Sequence, residues 1–183
     1  LLYLPARVFG GEKGSQGDAF FTAPNPSFGA VFTYYLRDSL KTLKQIRHEK
    51  EAKVKKGLGD NIIPDWDSLK KEEREESPVL LFTITDSDGN VLNRVTGSTS
   101  DGIHRVTWNL RYAPFAVDRG PGPLVAPGTY TVTAAKRVDD VVTPLGEPKT
   151  FEVVAIGKPT LPIQDRQKVI EFQMQVGELQ RAV

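Results

Sequence analysis

From Val79 to about Ile156 the apolar residues of this chain recur at every second position, and that period decides what it can fold into. VLLFTITD puts Leu80, Phe82 and Ile84 on one face. GIHRVTWNL puts His104, Val106, Trp108 and Leu110 on one side, with Ile103, Arg105, Thr107 and Asn109 opposite. VLNRVTG, TYTVTAAKRV and KTFEVVAI have strand composition too. Between them lie turn-forming runs: DSDGN, the Pro-rich YAPFAVDRGPGPLVAPG, and VDDVVTPLGEP. Asp88-Gly89 tolerates positive φ, and Pro127-Gly128 fits the centre of a type II turn. GAVFTYYL adds a strand upstream, and no helical pattern interrupts the strands after Pro78. Short strands joined by close turns predict a mainly β fold, an antiparallel sandwich, and exclude a βαβ sheet.

Two helical patterns fall between the first strand and the rest, an insertion at about 37–76. In RDSLKTLKQIRHEKEAKVKK, Leu36, Leu40, Leu43 and Ile46 recur at helical spacing, and residues 37–56 hold eight Lys or Arg against three Asp or Glu. After the loop GLGDNIIP comes WDSLKKEEREE, with Asp65 or Asp67 as its cap; residues 65–76 hold six acids against three bases. The opposite charges predict that the two helices complement each other. Residues 1–28, rich in Gly, Pro and polar residues, read as a connector, residues 29–157 as the sandwich with its insertion, and 158–183 as a C-terminal helix.

Parity places the core. Trp108 sits mid-strand beside Val106, and with Phe82, Tyr130 and Val132 it is expected between the sheets. Tyr130, two residues after a turn glycine, fits a tyrosine corner, its hydroxyl bonded to a loop backbone group.

Chemistry is thin by comparison. His48 stands among charged helix residues, and His104 is a lone imidazole opening a strand, best read as hydrogen-bonded to a loop carbonyl. Asp86, Asp88 and Asn90 mimic half of a calcium loop, but the twelfth position falls on Gly97, so no metal is expected. No cysteine is present, and GxSxG, HExxH and phosphate-binding glycine loops are missing. No catalytic residue and no cofactor are expected. Lys plus Arg number 24 against 23 Asp plus Glu, so no overall field draws nucleic acid, and no apolar run approaches a membrane span. A sugar platform needs aromatics in a row, whereas Trp66, Tyr112 and Phe115 are scattered. The opening LLYLPARVF lacks a basic leader and there is no initiator Met, which reads as an internal or processed piece of a longer protein.

The ordered segments NPSFGAVFTYYL, VLLFTITDSDGNVLNRVTG, GIHRVTWNLRY and GPGPLVAPGTYTVTAAK resemble the immunoglobulin-like domain of flagellar hook-capping proteins. There a G-x-H-x-V-x-W-[DN] strand and an A-P-G-T-Y strand pair across the sandwich. With the charged helical insertion and TPLGEPKTFEV, residues of about 24–156 are more similar still to the C-terminal region of large exported bacterial proteins. Those proteins carry a sortilin-like or neuraminidase-repeat β-propeller and are often labelled glycosyl hydrolases. VDDVV departs from the pattern, since a glycine would sit better in its second turn position, and predicts a longer or bulged hairpin.

The resemblance implies an extracellular, periplasmic or cell-surface location. It also implies a non-catalytic module packing on a preceding propeller domain or on another chain of the same assembly. The alternative is a carbohydrate-binding accessory module of a propeller glycosidase. At the C-terminus, Val169, Phe172, Val176, Leu179 and Val183 fall at heptad spacing, broken only by Gly177 at a cost of about 1 kcal/mol. This predicts a helix from about Ile163 that projects from the sandwich and pairs in a bundle or homo-oligomer through that seam.

Overall fold

A computed structural model describes residues 26–56, 63–115, 120–155 and 163–182. Most of the 1–28 connector, the 57–62 loop and Val183 of the heptad seam lie outside the described residues. In chain order the elements are β1 (Ala30–Leu36), α1 (Leu43–Lys56), α2 (Trp66–Arg74), β2 (Val79–Thr85), β3 (Val91–Gly97), β4 (Gly102–Trp108), β5 (Gly128–Val138), β6 (Val141–Pro144), β7 (Lys149–Val153) and α3 (Ile163–Ala182). All strand pairings are antiparallel. One sheet holds β1 and β4; the other runs β3-β2-β5, with the far edge of the long β5 shared by β6 and β7. The chain is a mainly β antiparallel sandwich with a two-helix insertion and a C-terminal helix.

The alternation read from the sequence is the alternation of burial. Leu80, Phe82 and Ile84 are buried on β2, and Tyr130 and Val132 on β5. On the small sheet, Ala30, Phe32, Tyr34 and Leu36 turn inward while Val31, Thr33 and Tyr35 are exposed. The inward faces meet in two clusters. One gathers Trp108, Ile84, Leu92, Val125 and Tyr130; the other gathers Leu36, Leu80, Phe82 and Val132, with Val106 half-buried against it. Trp108 is 0% exposed. Its ring lies edge-on to Tyr130 at 5.7 Å and to Phe151 at 6.1 Å. Phe151 also meets Phe32 at 5.4 Å and Tyr130 at 6.1 Å, so it bridges the clusters.

Tyr130 closes a tyrosine corner. Its hydroxyl donates to the Ala126 carbonyl at 2.5 Å. Burial, with smaller contributions from Tyr112 and Asp86, pushes its pKa up to about 12. Tyr130→Phe is expected to lose about 0.5–1.5 kcal/mol at neutral pH, the net value of one hydrogen bond. The neutral phenol stabilises the fold fully below about pH 10, the ordinary tyrosine value, and that contribution is lost as pH rises through about 12. Urea titrations at neutral and alkaline pH should therefore show a shallower alkaline loss in the Phe variant. Equal stability of the two proteins at neutral pH would mean the bond contributes nothing.

Three local expectations need correction. The helical pattern of Leu36, Leu40 and Leu43 is not one helix: β1 takes Leu36, and residues 37–42 form a connection in which Leu40 N donates to the Thr99 carbonyl at 2.8 Å. α1 starts at Leu43 behind a Thr42–Gln45 capping box, each side chain accepting from the other's backbone N–H at 3.1 and 3.0 Å. VDDVV is no longer hairpin but a tight two-residue turn. Val138 pairs with Val141, and Asp139 and Asp140 take φ of 48° and 61°, values aspartate tolerates better than most residues. Finally, α3 does not project. Ile170 is buried, and a Cβ added at Gly177 would stand 2.4 Å from the Phe115 ring, so the helix packs against the segment after β4.

Candidate functional site

The strand GIHRVTWNLRY turns out to be an anchor. His104 Nε2 lies 2.9 Å from the Ser100 carbonyl and 3.0 Å from that of Asp101. Both partners are acceptors, so Nε2 carries the proton and donates. Ser100 Oγ is 3.4 Å from the same nitrogen, which resembles a nucleophile–base pair. A base must accept the hydroxyl proton, and this nitrogen is already a donor, so the contact has no catalytic capacity in this arrangement. The imidazole instead ties down the crossover from β3 to β4. Tyr34 helps, its ring tilted against His104 at 5.6 Å and its hydroxyl donating to the Ser98 carbonyl at 2.9 Å. From the other side Ser39 hydrogen-bonds Asp101, holding its carboxyl below the usual range.

Past Trp108 the chain reverses through Leu110, at φ 57°. This turns the Arg111 carbonyl inward, where it accepts from the Trp108 indole N–H at 2.9 Å and from Asn93 Nδ2 at 2.9 Å. The polar tip of the core tryptophan is thus satisfied without water.

Several of the acids are engaged in structure. Asp65 caps α2 by accepting from Ser68 N at 3.1 Å. Arg47 on α1 forms a two-pronged pair with Glu72 on α2, at 2.8 and 2.9 Å, which lowers the glutamate's pKa. Glu75 accepts from Leu43 N at 2.6 Å, so the acidic helix caps the basic one. The expected charge complementarity is real, carried by a partly buried Arg47–Glu72 pair.

Asp86 closes the DSDGN turn on itself. It accepts from Asp88 N at 3.0 Å, Asn90 N at 2.8 Å and Asn90 Nδ2 at 3.0 Å. Burial pushes its pKa up, but these hydrogen bonds outweigh burial and hold it below the ordinary value. Among the described residues no group of three or more His, Cys, Asp or Glu could hold a metal. The melting temperature is accordingly expected to be the same with and without a chelator such as EDTA, by scanning calorimetry. A drop on chelation would identify DSDGN as a cation site.

Of the aromatics weighed for sugar binding, Trp66 is exposed on α2, whereas Tyr112 and Phe115 are half-buried behind β4. They form no row. Two of the places where the structure exposes apolar side chains are the small sheet and α3. On the outer face of the small sheet, Tyr35 is 67% and Ile103 75% exposed, and the two are direct cross-strand partners; Val31 lies on the same face. On α3, Val169, Phe172 and Leu179 are exposed while Val176 is half-buried. No helix among the described residues is long and apolar enough to cross a membrane. Comparison of the chain with protein-family models, with curated proteins and with solved structures returned no match.

Proposed function

We propose that this chain is a non-catalytic interaction module, which packs through the outer face of its small sheet on a preceding β-propeller of an exported protein. The observation that carries the reading is the Tyr35–Ile103 pair. A two-stranded sheet is marginal by itself, and this one, with Trp108 and Phe32 turned inward, also presents Tyr35 and Ile103 to water. An apolar patch on a sheet face fits a partner surface better than it fits solvent. The propeller as partner, the exported location and the immunoglobulin-like kinship rest on the ordered motifs from Asn25 to Lys136. The sugar-binding alternative lacks support from this face, where Tyr35 is flanked by Ile103, Thr33 and Val31 and by no second aromatic.

Tyr35→Glu combined with Ile103→Glu tests the reading. In the isolated chain the pair is expected to change the unfolding free energy by no more than about 0.5 kcal/mol per site, as exposed substitutions do. Association with the propeller-bearing polypeptide should fall at least about tenfold, which is about 1.4 kcal/mol. Unchanged association would remove this face as the contact. A large loss of stability in the isolated chain would show that the face belongs to the core.

A further inference from the structure

α3 touches the sandwich at Ile170 and Gly177 without closing on it. Two open cavities remain between the helix and the 120–126 segment, of about 330 and 430 Å³. Arg111, Pro123 and Gln173 line both, so the two adjoin along the helix. The larger is walled by Leu124, Val125, Val169 and Ile170, and Arg111 and Arg166 line it as well. Its size is within the range of small-molecule sites.

The charge is one-sided. Among the described residues no Asp or Glu lines either cavity. Arg111 donates to the Gly122 carbonyl at 3.0 Å, a contact that holds the side chain but neutralises nothing. Neither arginine is in an ion pair with any described residue. Both are half-buried, so their charge is partly desolvated beside aliphatic walls, with no counterion among the described residues. A planar carboxylate is a group that guanidinium donors match, and an aliphatic body is what the remaining walls match.

We propose that this groove binds a monocarboxylate with an aliphatic body, its carboxylate on Arg166, its chain against Leu124 and Val169, and Arg111 lining the same cavity. The site is separate from the outer face of the small sheet and does not depend on what that face binds.

The probe is octanoate, titrated into the full chain by calorimetry, against octanol (the chain without the charge) and acetate (the charge without the chain). Octanoate is expected to bind saturably and at least about tenfold more tightly than either, the value of one charge-assisted hydrogen bond. Arg166→Gln should weaken octanoate to the level of octanol while leaving the unfolding midpoint unchanged. It is the chosen variant because Arg111 also secures Gly122. Leu124→Glu, which places an acid in the wall, should abolish binding, and Arg105→Gln on the far side of the small sheet should not alter it. No saturable binding, octanol binding as tightly as octanoate, or full affinity in Arg166→Gln would each overturn the proposal.

Discussion

Trp108→Ala is expected to lower the unfolding free energy by about 3–5 kcal/mol, the range for truncating a large buried aromatic. The side chain is wholly enclosed, and its removal leaves Tyr130 without its edge-on partner and Phe151 with Phe32 as the remaining one. The Arg111 carbonyl would lose the indole N–H but keep Asn93 Nδ2, so the cost is mainly that of the cavity and not of an orphaned acceptor. Trp108→Phe should therefore cost less, since it keeps most of the apolar contact. Domains of this kind are stable by only about 5–15 kcal/mol, so the Ala variant would be close to unfolding. Denaturant titration with an unchanged slope is the appropriate readout. A loss below about 1 kcal/mol, the size of an ordinary surface effect, would mean that the two sheets do not depend on this residue.

Gly29→Ala should be nearly as damaging, for a different reason. Gly29 has φ 128°, and a Cβ built there would lie 1.9 Å from the Trp108 carbonyl oxygen, on backbone that cannot step aside. The dihedral alone costs about 1–3 kcal/mol for a residue other than glycine. The overlap adds to that by forcing apart Ala30 and Trp108, the pair that ends the β1–β4 ladder. Gly102 provides the control. It too has positive φ, at 103°, yet nothing stands within 4 Å of an added Cβ. Gly102→Ala should show the dihedral cost only, and the difference between the two variants measures the clash. Equal losses would mean that the β1–β4 ladder has room to adjust at its end.

The strands were legible because half-buried antiparallel strands write their burial into the sequence at period two. Leu80, Phe82, Ile84, Trp108 and Val132 could be placed facing inward from spacing alone. The tyrosine corner was legible because APGTY combines a turn with the one residue able to reach back to it. Other features had no such signal. Leu36, Leu40 and Leu43 have helical spacing, but β1 needed Leu36 for its inward face and the long-range bond from Leu40 N to Thr99 held the chain extended. Phe151 was readable as a strand residue but not as the bridge between the clusters, since that role depends on how β7 shares an edge of β5. In α3 the heptad stripe drew attention to Val169, Phe172 and Leu179, which are exposed. The helix docks through Ile170 and through Gly177, which looked like a defect in the stripe. Periodicity counts apolar side chains and is blind to the place where a missing side chain admits Phe115. Arg111 and Arg166 were equally hidden: alone in sequence, each looks like ordinary surface charge.

Whether the outer face of the small sheet makes a contact, and with what, can be measured directly. A photoreactive benzophenone side chain in place of Tyr35, in the protein produced from its natural gene, would report the neighbour of that face by mass spectrometry. The same group in place of Arg94, exposed on β3, serves as the reference. The account predicts adducts from position 35 on peptides of a β-propeller and few from position 94. Adducts from position 35 on polysaccharide, or none above the reference, would contradict it.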